Sequence, residues 1–214
     1  MEESGQKSDA FKQAIRAYNS IFAFTSMGAK VDKSINKRSG PYVFKINGQV
    51  HHLMGSLLPP ERECPKFAQL YIFDTDNEVK NRVNVLNISN KNDKLDDEIV
   101  SGLIQMFDQT NELVKLFRIA RDKVKSDFVD CFRLRLFGKR NTQDKQYDLP
   151  TSSHVGGLIV GDISDFKSER DIIIELRNGV LQRITKLNPK YMALQYPLLF
   201  PYGEDGYRPN IPFE

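Results

Sequence analysis

The chain has 214 residues, 40% apolar and 28% charged, which fits an ordinary globular protein rather than a disordered one and suits one large domain or two small ones. Its 31 basic and 28 acidic residues leave a net charge of +3, too small on its own to mark a nucleic-acid binder. Two cysteines, Cys64 and Cys131, are too few for a disulfide framework or a zinc knuckle, and no apolar run is long enough to span a bilayer.

The first ten residues, MEESGQKSDA, carry neither the basic start nor the apolar core of a secretory signal. A disordered N-terminus over 1–10 of an intracellular protein is expected. Residues 11–22 place Phe11, Ile15, Tyr18 and Phe22 at helical spacing, as one buried face. The polar, basic stretch 29–40 predicts a loop. In YVFKINGQVHHL, Asn47-Gly48 predicts a tight hairpin turn, because that pair readily adopts positive φ. LPPERECP breaks structure, and the apolar run FAQLYIF (67–73) reads as a buried strand.

Residues 78–88 predict a short helix, capped by Asp74 or Asp76. The strongest helical signal spans 95–125. Leu95, Ile99, Leu103 and Phe107 form one stripe, and Leu113, Phe117, Ala120 and Val124 a second. Gln109-Thr110-Asn111 predicts a break between two helices, with Thr110 capping the later one. Strand character follows in CFRLRLFG, HVGGLIVGD and DIIIEL–VLQRI, with Asn178-Gly179 as another hairpin turn. The order predicts an α+β fold: a largely antiparallel sheet built from hairpins, with about four helices packed on it. The change of character near 128 allows two lobes, about 11–128 and 129–214.

No catalytic constellation emerges. His51 and His52 are adjacent, so on a strand they point to opposite faces and cannot chelate one ion together. They read as hairpin-surface residues, and His154 stands alone. Cys64 and Cys131 have no CxxC partner and read as packing residues. GGLIVGD lacks the lysine and spacing of a phosphate loop, so its glycines read as structural. The residues thus imply no metal ligand, no catalytic residue and no cofactor.

Positive charge concentrates in two places. One is the loop containing Lys33, Lys37 and Arg38; the other runs through Arg133, Arg135, Lys139 and Arg140. Strand alternation puts Phe132, Leu134 and Leu136 on one face, and Arg133, Arg135 and Phe137 on the other. Two arginines beside an aromatic ring could hold phosphates and stack a base. The competing reading is an ordinary solvated outer face.

Three stretches, YNSIFAFTSMGAKVDKSINKRSGPYVFKINGQVHHLMGSLLP, PKFAQLYIFDTDNEVKNR and LNPKYMALQYPLLFPYGEDGYRP, resemble the N-terminal region of Helitron helicase-like transposases, the proteins of rolling-circle transposons. FRIARDK, RLRLFGKR, LPTSSHVGGLIVGD and RDIIIEL extend the resemblance from about Ala17 to Pro209. It implies a non-catalytic N-terminal portion of such a transposase that ends before the nuclease and helicase modules. It implies contact with transposon DNA, support of those modules and a nuclear location. No position here matches the family's His-hydrophobic-His motif or its catalytic tyrosines. A protein-interaction scaffold and an inactive transposon relic remain the alternatives. The aromatic stretch 191–209 is expected to pack inside a longer protein.

Overall fold

Helix α1 (Glu2–Gln13) and helix α2 (Ile15–Phe22) open the chain, in a computed structural model that describes residues 2–32, 34–37, 40–89, 95–126, 132–138, 155–160, 171–177, 179 and 181–207. The segment expected to be disordered is therefore helical from Glu2. Ala14 leaves helical geometry at φ −98° and ψ 12°, and this break rotates the predicted stripe. Ala17, Tyr18, Ile21 and Phe22 turn inward, whereas Ile15 is exposed.

Strands β1 (Ser26–Val31) and β2 (Ile46–Met54) pair antiparallel, so the last residues of β1 occupy the start of the predicted loop. The predicted turn at Asn47-Gly48 lies within β2 instead. Pairing shifts register between Gly28 and Lys30, and Gly48, at φ +86°, supplies the left-handed residue this irregularity needs. The Asn-Gly pair serves a bulge, and the connection lies at 32–45.

The run 67–73 is not a strand. Phe67–Tyr71 forms a 3-10 turn with Ala68, Leu70, Tyr71 and Ile72 buried and Phe73 exposed. An all-round apolar run does not distinguish buried strand from buried helix. Local polar bonds settle the matter: the Lys66 N–H donates to Gln69 Oε1, and Gln69 Nε2 donates to the carbonyls of Ser56 and Leu58. Cys64, expected to pack, is exposed; Cys131 and His154 lie outside the described residues.

Helices α3 (Glu78–Ser89), α4 (Asp97–Thr110) and α5 (Glu112–Lys125) follow. Asp74 bonds Asn77 and Asn81 but caps neither α3 nor the 3-10 turn before it with its side chain. The predicted break between α4 and α5 is present at Asn111, and the cap falls one residue later than expected. Asn111 takes extended geometry, and its Oδ1 accepts from the N–H groups of Leu113 and Val114 at 3.0 and 3.1 Å. Thr110 stays helical and donates its hydroxyl to the carbonyls of Met106 and Pro201. Asn111 is the cap because it, not Thr110, has left the helix.

Strands β3 (Phe132–Leu136), β4 (Gly156–Val160) and β5 (Ile172–Glu175) form one antiparallel sheet in the order β4-β3-β5. Strand β6 (Gln182–Ile184) joins the other, in the order β1-β2-β6. The α+β class with antiparallel pairing is as predicted, but there are two three-stranded sheets, and six α-helices among the described residues. Because β5 and β6 belong to different sheets, the segment containing Gly179 crosses between sheets and does not close a hairpin. Leu57 and Leu58 donate to the carbonyls of Glu175 and Leu176, which ties the two sheets together at that crossing.

One apolar cluster joins these elements, with buried residues from both sides of position 128. Phe24 stacks on Tyr71 at 4.4 Å and meets Phe117 at 5.1 Å; Phe22 meets Phe107 at 5.1 Å. Helix α5 lies over β4, where a side chain at Gly156 would strike Leu116 and the Arg135 carbonyl. Glycine there permits close helix–strand approach, a structural role.

A buried ionic cluster crosses this core. Arg82 is fully buried, with its guanidinium 4.3 Å from the Phe22 ring centre and 4.2 Å from that of Tyr71. Glu78 bridges it at 2.6 Å to Arg118 at 2.8 Å, and Arg118 also meets Asp108 at 2.8 Å. Two carboxylates therefore balance two guanidiniums, as burial requires.

Helix α6 (Tyr191–Gln195) and the residues after it are bound into the same body. The Leu194 carbonyl accepts from the Phe24 N–H at 2.8 Å, and the Tyr202 carbonyl accepts from the Glu112 N–H at 3.1 Å. Buried Lys190 pairs with buried Asp205 at 2.6 Å. Residues 191–207 of the aromatic stretch pack onto this body, although Tyr196, Leu199, Tyr202 and Tyr207 stay exposed.

Candidate nucleic-acid interface

Alternation along β3 has the predicted outcome. Phe132, Leu134 and Leu136 are buried, while Arg133, Arg135 and Phe137 are partly exposed. What alternation could not reveal is the acid on neighbouring chain segments. Glu175 stands opposite Arg133 across the β3–β5 ladder, and the two charges pair at 3.6 Å. Arg135 Nε donates to Asp171 Oδ2 at 2.6 Å, and its second nitrogen also pairs with that carboxylate. Asp171 further accepts from the Gly138 N–H at 2.8 Å.

Asp171 is almost wholly buried and Arg135 mostly so, which makes this pair a clamp between β3 and β5. The Arg135 guanidinium also lies 5.3 Å from the centre of the Phe137 ring, over one of its faces. The three residues are thus together, as expected, but engaged with each other and with carboxylates. Lys139, Arg140, Lys33 and Arg38 lie outside the described residues; Lys37 is exposed in the 3-10 turn Ile35–Lys37.

A second cationic place appears beside the other sheet. Residues 49–51 of β2, Arg183 of β6, the following Thr185, Lys186 and Leu187, and Tyr191 of α6 line a cleft of about 570 Å³. None of these lining residues is acidic. Arg183 and Lys186 are exposed, and among the described residues neither forms an ion pair. Val50 and Leu187 expose apolar side chains, and His51 stands half-buried. Pairing sets the geometry: Leu53 faces Arg183 and His52 faces Ile184, which lays β6 along the last three residues of β2.

His52 is buried, contrary to the expected hairpin surface, and its ring stacks on that of Tyr191. Burial lowers its pKa to about 4, with the neighbouring His51 adding to the fall and the Tyr191 backbone opposing it. His51 and His52 do differ in burial, as opposite strand faces require. Burial also raises the Tyr191 hydroxyl above its ordinary range.

The cleft was not legible in the sequence. Its residues come from β2 and, more than a hundred positions later, from β6, α6 and the turn between them, and Arg183 and Lys186 stand outside the two basic runs. The only local signal was the basic pair at the end of QRITK. Among the described residues, no three His, Cys, Asp or Glu side chains converge as metal ligands, and no helix is long and apolar enough to cross a membrane. Compared with protein-family models, curated proteins and solved structures, the chain matches none of them.

Proposed function

We propose that the chain is a non-catalytic, DNA-contacting portion of a Helitron-type rolling-circle transposase, acting in the nucleus beside nuclease and helicase modules of a longer protein. The transposase assignment rests on the sequence resemblance. The observation that favours DNA contact is the acid-free cleft that Arg183 and Lys186 help to line. Among the described residues Arg183 and Lys186 form no ion pair and can neutralise phosphates, whereas Arg133 and Arg135 already hold carboxylates. Titration of the protein against a fluorescent oligonucleotide at two salt concentrations tests this reading. Phosphate contact gives affinity that falls steeply with salt. Absence of binding at low salt would remove the reading.

One observation favours a protein-interaction scaffold instead. Tyr42, Val43 and Phe44 are consecutive and all exposed, in the connection between β1 and β2. Exposed contiguous apolar surface marks contact sites. Under that reading, changing the three residues to serine abolishes partner capture and leaves oligonucleotide binding unchanged.

A further inference from the structure

The cleft has two kinds of lining, and phosphate contact uses only one. Arg183 and Lys186 suit phosphate oxygens, but Val50, Leu187 and Tyr191 offer apolar and aromatic surface. Leu187 is 53% exposed and Val50 is 42% exposed, so both stay wet until a ligand covers them. Tyr191 has one ring face against His52, and reaches the cleft with surface that His52 leaves uncovered. Gln49 and Thr185 add side-chain donors and acceptors beside that surface. A volume of about 570 Å³ lies within the range of sites that enclose a small ligand.

A duplex presents phosphates outward and keeps its bases stacked inside, so it leaves such a wall uncovered. An unpaired nucleotide carries both parts the lining calls for, a flat base and a phosphate. We propose that this cleft holds one unpaired nucleotide of a single-stranded nucleic acid. The base lies against Val50, Leu187 and Tyr191, and the flanking phosphates lie on Arg183 and Lys186. This deepens the DNA-contact reading and rests on it. A duplex can fill the cleft only by extruding a base, which costs unpairing and unstacking. The site therefore discriminates by strandedness, with little need to read base identity.

The test compares three fluorescent probes of equal length: a single strand, the same strand with abasic sites throughout, and a blunt duplex. The single strand should bind on the order of tenfold more tightly than either of the others. Leu187→Ser, at an exposed position, should weaken single-strand binding severalfold while leaving duplex binding and melting temperature unchanged. Equal affinity for all three probes, or a preference for the duplex, would overturn the nucleotide pocket. If Arg183→Ala/Lys186→Ala still flattened the salt dependence in that case, the DNA-contact reading would survive alone. If no probe bound at low salt, both would fall.

Discussion

His52 lies flat against Tyr191, with ring centres 3.7 Å apart and planes 8° from parallel. Among the described residues its Nδ1 has no hydrogen-bond partner. Burial holds the imidazole neutral, with its pKa lowered to about 4 from an ordinary 6.5. Between those values the unfolded chain binds the proton and the folded one does not, so stability rises with pH. The contribution is complete above about pH 6.5 and is lost as pH falls towards 4. His52→Phe, which keeps a ring against Tyr191, should flatten melting temperature against pH in that window. An unchanged slope would place the titration elsewhere.

Phe117 is fully buried between α5 and the Phe24–Tyr71 stack. Phe117→Ala should cost about 3–5 kcal/mol in denaturant unfolding. A loss below about 1 kcal/mol would mean that this face is in solvent.

The two strand arginines should behave differently from each other. Among the described residues Arg135→Ala leaves the buried Asp171 carboxylate with the Gly138 N–H alone, at a cost of about 1–3 kcal/mol. Arg133→Ala breaks a half-exposed pair and should cost no more than about 1 kcal/mol. Equal losses in urea unfolding would contradict the clamp assigned to Arg135.

Glu78 serves two buried arginines at once. Glu78→Gln removes the charge that balances Arg82 and Arg118, and should destabilise the fold by about 3–5 kcal/mol. Replacing Glu78 and Arg82 together should cost less than the sum of the two single changes. Additive losses would show that the charges act independently.

The helices α4 and α5 were legible because their core contacts recur every three or four residues, and Leu113, Phe117 and Ala120 are buried as that period requires. Turn chemistry was less transferable. Gly48 alone of the Asn47-Gly48 pair has the left-handed geometry expected of both, and whether that serves a turn or a bulge depends on β1, which comes earlier in the chain. Likewise the run at 67–73 has the burial of a strand and the hydrogen bonds of a 3-10 turn, set by Gln69 reaching back to Ser56. The strand patch shows the limit most plainly. Alternation placed Arg133 and Arg135 on one face, but their charge is answered by Glu175 and Asp171, some forty residues away in sequence.

The proposed nucleic-acid interface is the cleft and not the β3 face. It is tested most directly by comparing Arg183→Ala/Lys186→Ala with Arg133→Ala in oligonucleotide titrations across salt concentration. Affinity and melting temperature are measured on each folded protein, since Arg183, Lys186 and Arg133 lie outside the buried core. The cleft variant should weaken binding and reduce the logarithmic salt slope by about 1.5, the loss of two phosphate contacts. Arg133→Ala should leave the slope at the wild-type value. An unchanged slope in the cleft variant, with a reduced slope in Arg133→Ala, would contradict the account and return the interface to the strand.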